Sequence, residues 1–522
     1  MALSLSIPVP GKSLPKEIET NPKKARAWVE SLPMTKVVDA ARILGQNLAA
    51  LSQAKLSADD RVELMEVYRP VVLVVLDELE AIYAYSSLPL AAKQRDAYDL
   101  ASQIRTECCT AYKILLMEKS TKMILFNAKK NLPAPLCRAM RFLRGLLLQS
   151  YKTYHPAPPG VWQEAYQLYL YAEEQGLLNE VGDDADKLTV NDFFTEMIMV
   201  SLADPYRLMQ KELDKVSDFL MQNRGLMELR GNADGLDPQR LFVTALDSDQ
   251  APKLLVQGSK PPPGQVLRVI HAVKLAERLQ QKIRAASSSA AAQSRATHDL
   301  NDLYARLSRL WGDPPKRQFR RNPTESPVAL CSGIKSLAFF AEMAANENPE
   351  ADAQAIRDGD TIPLLKIPDD PISKSMGIEQ WMVLNQSANG LRLHREDAGS
   401  VGITVGEAVG VRFVGGRTWN VGVVRWLTLL DGASLEFGVE LMSPAAFSVT
   451  IEPTIGGSKP IPALLLMPVT PEADADTLLT VTDTFADLRE FELNDSESTS
   501  NVRATTLIER TSRFDMFQFQ PS

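Results

Sequence analysis

The chain is 522 residues long, 45% hydrophobic and 23% charged, which excludes a single hydrophobic core and suits about two to four folded, soluble domains. A net charge of −8 excludes a protein that coats DNA or RNA, because displacing phosphate counterions takes a basic face; a local arginine cluster can still hold a small nucleotide. The longest apolar run, residues 71–76, is far shorter than the roughly 20 residues of a membrane-spanning helix, and no basic segment precedes the first apolar residues, so neither a membrane span nor a signal peptide is expected.

Residues 1–20, rich in Pro, Lys and Ser, read as a flexible lead-in. From 21 to 230 the apolar period is helical, and an α-helical domain is expected. Val37, Val38, Ala41, Ile43, Leu44, Leu48 and Leu51 recur at three- and four-residue steps. Ser57 with Asp60 starts the next helix, which Pro70 is expected to kink or split. A longer helical pattern covers about 88–127, and Arg138, Arg141 and Arg144 on the following helix read as a solvated stripe opposite Phe142 and Leu146. After the breaker at 156–160, Trp162, Tyr166 and Tyr169 suit aromatic packing between two helices; the faint likeness to a tetratricopeptide repeat has no second copy. Thr189 with Asp192 caps another helix, and Asp204-Pro205 reads as the start of one more, reaching about Asn223. An apolar stripe serves core packing as well as peptide capture, so the pattern does not separate those two uses.

Residues 231–310 are expected to hold a short hairpin (240–246 with 253–256) and connecting helices, the first from about Gln265 to Ala286. The Ser/Ala stretch 287–292 reads as a linker or a bend between helices. A last helix near 297–311 places Leu300, Leu303, Leu307 and Leu310 on one side.

The informative signatures come next. Lys316-Arg317-Gln318-Phe319-Arg320-Arg321 follows Pro314-Pro315 and precedes Pro323, a context that favours an extended arm over a helix. Asn385-Gln386-Ser387-Ala388-Asn389-Gly390 fits [D/N]-x-S-x-x-G. Around it lie short alternating strands with glycine-rich turns, at 381–384, 391–393, 408–413, 419–426 and 435–441, which predict a small antiparallel barrel over 311–455. An acidic insertion lies near 341–374. An R-x-x-x-R arm, then this turn, then V-x-R-W before F-G-V-E-L, resembles the PilZ family, whose domains bind cyclic di-GMP. The resemblance implies that Arg317 and Arg321 clamp guanine and phosphate, and that Arg320 stacks or substitutes for a neighbour. It implies that Asn385 meets a guanine edge, Ser387 bonds phosphate, and Gly390 permits the tight turn. Arginine's planar donor fork suits both guanine O6/N7 and phosphate. Asn in place of the commoner Asp stays within the pattern, whereas the spacing from Arg321 to Asn385 is longer than the family usually shows.

Beyond the barrel, 463–469, 478–481, 504–508 and 514–519 read as strands of a C-terminal β extension, 456–522, and the acidic residues between Asp483 and Glu497 as a solvated loop. The expected fold is therefore α+β and multidomain: an N-terminal all-α helical array, a small antiparallel PilZ-like β-barrel, and extra C-terminal β-strands. Cys108, Cys109, Cys137 and Cys331 form no C-x-x-C pair, so buried, reduced thiols in a cytoplasmic protein are expected. No catalytic or metal-ligating motif is visible among the four histidines, and His394 reads as a surface strand-end residue. No enzyme activity, metal or cofactor is expected. The expected ligand is cyclic di-GMP, with an unidentified protein partner engaged through residues 21–310. The alternatives are an adaptor whose PilZ-like barrel no longer binds nucleotide and, further off, an enzyme with its site in the helical half.

Overall fold

The computed structural model describes residues 3, 5–9, 11, 18–126, 131–183, 187–237, 241–255, 265–287, 294–313, 322–345, 370–397, 402–416, 418–430, 434–455, 459–468, 476–495 and 498–522. The arginine arm, the Ser/Ala stretch 288–293 and most of the insertion (346–369) lie outside them. The chain divides into two compact units: Met1–Ser86, Leu90–Pro205 and Lys211–Lys316 in one, Ser87–Pro89, Tyr206–Gln210 and Arg317–Ser522 in the other.

The first unit is built on helices α1 (Pro22–Glu30), α2 (Val37–Gln53), α3 (Ala58–Tyr83), α4 (Ala92–Phe126), α5 (Pro133–Lys152) and α6 (Val161–Gln175). A two-stranded ribbon, β1 (Val181–Asp183) with β2 (Leu188–Thr189), leads into α7 (Val190–Ser201) and α8 (Glu212–Gln222). Among the described residues no helix is long and apolar enough to cross a membrane. The described residues of the lead-in include packed ones: Leu3 and Leu5 are buried, and the Gly11 N–H donates to the Gln53 carbonyl at 2.9 Å. Nor does Pro70 split α3, which runs through it as one helix, buried at Leu64, Met65 and Tyr68 before the proline and at Val72, Val75 and Leu79 after it; tertiary burial outweighs the lost backbone bond. Thr189 and Asp192 form the expected reciprocal cap, and the Tyr169 and Phe194 rings stack 4.2 Å apart between α6 and α7.

Three helical expectations are corrected. Arg138 and Arg144 are not a solvated stripe: Arg138 pairs with Glu66 of α3, and Arg144 Nη2 reaches Glu196 Oε1 of α7 at 2.6 Å. Asp204-Pro205 opens only a 3₁₀ turn, Pro205–Arg207, and α8 restarts at Glu212 after Lys211 at φ +69°. The segment after 265 first forms a strand. β3 (Glu228–Arg230), β6 (Leu267–His271), β4 (Phe242–Ala245) and β5 (Lys253–Leu254) make a four-stranded sheet in that order. Val269 and Ile270 suit a pleated surface, and α9 (Val273–Ser287) begins only after them. The β4–β5 hairpin forms as expected, and α10 (Arg295–Gly312) buries Leu303, Leu307 and Trp311.

One histidine makes this unit sensitive to acid. His155 stacks on Tyr98 at 4.9 Å, its Nδ1 lies 2.8 Å from Thr153 Oγ1, and burial, aided by Arg95, lowers its pKa to about 4. Its unfolded pKa is higher, so the unfolded chain binds the proton first. Stability is full above about pH 6.5 and falls toward pH 4 with a slope of up to about 1.4 kcal/mol per pH unit. Urea unfolding across that range should show this loss, and His155→Gln should flatten it; an unchanged slope in the variant would assign the acid sensitivity elsewhere.

The second unit holds two closed antiparallel barrels, ordered β10-β11-β12-β9-β8-β7 and β13-β14-β15-β18-β17-β16. The first uses β7 (Asn322–Ser332), β8 (Glu379–Gln386), β9 (Gly390–Arg395), β10 (Ala408–Phe413), β11 (Asn420–Leu429) and β12 (Leu435–Ser443). Its interior is closed by Trp381 edge-on to Phe437, with centroids 4.9 Å apart, among Val383, Leu391 and Leu393. The second uses β13 (Ala446–Pro453), β14 (Ile461–Leu466), β15 (Thr477–Val481), β16 (Glu490–Asn494), β17 (Thr499–Arg510) and β18 (Phe514–Pro521). The expected C-terminal extension is thus a complete barrel, and β13 belongs to it rather than to the first. Glu490 and Glu492 stand on strand β16, not in a solvated loop. Helix α11 (Ile334–Ala345) packs between the barrels: Leu337, Phe340 and Ala341 share one buried cluster with Ala408, Trp419 and Val421 of the first and Leu464, Leu479 and Met516 of the second. Gly410 allows this seat, since a Cβ there would lie 2.5 Å from Leu337.

Candidate functional site

The Asn385–Gly390 signature is the turn between β8 and β9. Its closure is local. The Ser387 N–H donates to the Gly390 carbonyl at 2.8 Å, and the Ser387 hydroxyl reaches the same oxygen at 3.4 Å. Gly390 packs closely here: a Cβ would sit 3.0 Å from Ser387 Oγ, a tight contact that the hydroxyl would have to relieve. The Leu441 N–H donates to the Asn389 carbonyl at 2.8 Å, tying the turn to β12. Asn385 and Ser387 are half-buried, and the Asn385 side chain has no hydrogen-bond partner among the described residues.

Arg317, Arg320 and Arg321 lie outside the described residues, so three of the six expected ligand residues have no described position. Their attachment point is described. Asn322, the next residue along, pairs with Gln386, and Pro323 pairs with Asn385. The chain therefore enters the barrel directly beside the turn, with no strand between them.

Register adds residues that motif reading missed. Asn385 opposes Arg392 on β9, Arg392 opposes Gly438 on β12, and Gly438 opposes Trp426 on β11. Opposed residues share a sheet face, so these four form one row across the outside of the barrel. Gly438 leaves room there: a Cβ would overlap the indole nitrogen of Trp426, which lies across it half-exposed. The Arg392 guanidinium is held by Glu436, with Nε 3.1 Å from Oε2. His394 stands beside the same carboxylate, its Nδ1 3.7 Å from Glu436 Oε1, beyond hydrogen-bond reach. Among the described residues no cluster of His, Cys, Asp and Glu could hold a metal ion, and the four cysteines are buried and form no disulfide. A polar turn, an arginine and an indole laid over a glycine make a surface for a flat, hydrogen-bonding, anionic ligand.

An antiparallel six-stranded barrel carrying this turn on its outer face is a PilZ-type domain. Models of three successive domains of one family match the chain: "Cyclic-di-GMP receptor FimW, N-terminal domain" over residues 23–234, its middle PilZ domain over 241–355 and 369–447, and its C-terminal beta-barrel domain over 448–522. The chain belongs to the FimW family. Among curated proteins it is similar to the Cyclic-di-GMP receptor FimW of Pseudomonas aeruginosa, with 23% identity over 496 residues that cover 85% of this chain and 81% of the relative. The helical half, which matched no family on its motifs, is the N-terminal domain of the same family.

Proposed function

We propose that the chain is a cyclic di-GMP receptor whose site is the Asn385–Gly390 turn and the row Asn385, Arg392, Gly438 and Trp426, completed by the arginine arm. The observation that carries this reading is the pairing of Asn322 with Gln386. Arg321 immediately precedes Asn322, and Arg317 is five residues back, so an extended chain keeps Arg317 within about 18 Å of the turn. Two arginines four apart can then hold opposite sides of one ligand, each by paired donors to guanine O6/N7 or phosphate. Asn385 meets a guanine edge, Ser387 donates to phosphate, and Gly390 lets the ligand approach the backbone. Trp426 supplies the stacking face for a base. Ordering the arm on the ligand couples occupancy to residues 21–310, which engage a protein partner; this is a binding switch without chemistry. The family match supports a receptor and not an enzyme, and the four buried cysteines, which form no disulfide, support action in the cytoplasm.

Calorimetry on the full chain tests this. Wild type should give saturable heat with cyclic di-GMP and none with GMP at the same concentration. Trp426→Ala should weaken binding by about 1–3 kcal/mol, the worth of one base–aromatic stack. A folded wild-type chain that gives no heat would reject the receptor reading in favour of an adaptor with a silent barrel.

A further inference from the structure

The wall of the turn opposite Gly390 carries a charge arrangement that reaches into the second barrel. Glu440 of β12 is the register partner of Gly390 and so raises its carboxylate on the face where Gly390 opens. Arg425 of β11, at a bulge between Val424 and Trp426, donates from Nε to Glu440 Oε2 at 2.7 Å. The other end of the same guanidinium is taken by the second barrel: Nη2 lies 2.8 Å from Oε2 of Glu509 on β17, and Nη1 bonds its Oε1. Two carboxylates thus share one cation beside the site, leaving a net charge of −1 next to a dianionic ligand.

We infer that the C-terminal barrel sets the affinity of the nucleotide site through Glu509, which competes with Glu440 for Arg425. The inference rests on the nucleotide reading above. Two further contacts hold the barrels in place and keep Glu509 there without the triad: the Thr511 hydroxyl donates to the Gly406 carbonyl at 3.0 Å, and Arg513 pairs with Glu407 at 3.4 Å. Glu509 is therefore not required as a strut, and its cost to an anionic ligand is open to adjustment. When Glu509 is neutral, Arg425 belongs to Glu440 alone and the triad carries no net charge. When Arg425 is neutral, two carboxylates stand beside the phosphates. The two changes act in opposite directions, which a purely structural link would not do. By reciprocity, ligand that draws on Arg425 loosens the hold of Glu509, so occupancy is felt in the second barrel.

The experiment is cyclic di-GMP titration of the full chain as wild type, Glu509→Gln, Arg425→Gln and the double variant, at low and high salt, with melting curves for each. Glu509→Gln keeps the shape of the side chain and should tighten binding about two- to fivefold at low salt, the gain fading at high salt. Arg425→Gln should weaken it about tenfold, and removing Glu509 as well should recover part of that loss. Binding by Glu509→Gln equal to wild type at low salt would overturn the inference alone, even if Arg425→Gln misfolds. No binding by the wild-type chain would overturn the nucleotide reading and this inference together.

Discussion

Arg317→Ala and Arg321→Ala should each weaken cyclic di-GMP binding roughly 10- to 150-fold while leaving the melting temperature unchanged. Each variant removes charge-assisted, forked hydrogen bonds worth about 1.5–3 kcal/mol. Neither residue is itself a paired strand position: pairing starts at Asn322, the residue after Arg321. Arg320→Ala should cost less, since it stacks or substitutes for a neighbour. The contrast that makes the result diagnostic is Trp381→Ala. That indole is buried against Phe437 inside the barrel, and its loss should cost about 3–5 kcal/mol of stability and remove binding by unfolding the site. Calorimetry paired with thermal melts separates the two cases. Equal affinity in Arg317→Ala, Arg321→Ala and wild type would reject the arm as the clamp.

A large stability loss in the helical unit should come from Glu196→Ala. Glu196 is 1% exposed, receives Arg144 through two donors and also accepts from the Ser217 hydroxyl. Removing it leaves a guanidinium in a partly buried place without its counter-charge, a change that costs about 3–5 kcal/mol when the pair is fully buried. Arg144 keeps some solvent access, its side chain being 24% exposed, so the expected loss is near the lower figure. Urea unfolding measures it. A loss below about 1 kcal/mol would show that the pair behaves as a solvated surface bridge.

The arm is a local feature of the chain, whereas the Arg144–Glu196 pair joins distant segments. The arginine arm and the turn are local patterns: a few residues at fixed spacing carry the resemblance to the PilZ family. The strands β8 to β12 were legible for the same reason, because alternation and glycine turns are local. β7 was not, since Pro323 and Pro327 interrupt its pattern; its pairing with β8 and β10 supplies what alternation lacks. The spacing of Arg138 and Arg144 reads as one stripe, yet six residues leave them about 120° apart around the helix, and their partners Glu66 on α3 and Glu196 on α7 are 72 and 52 residues away. No window of sequence contains that information, so a solvated face was the default. The C-terminal strands were read as strands but not as a barrel, because closure depends on pairs such as β15 with β18 that are not neighbours in the chain.

What the chain alone determined, then, is its class: helices first and barrel strands after, with an arginine arm and an Asn385–Gly390 turn whose resemblance to the PilZ family implies a guanine dinucleotide as ligand. The elements follow from propensity and period, which act over a few residues. Only the tertiary structure decided that Trp426 and Arg392 lie in line with that turn, that α11 sits between two complete barrels, and that Glu509 reaches Arg425. Strand register and barrel closure bring those groups together, and both are settled by hydrogen bonds and burial between segments far apart in the chain.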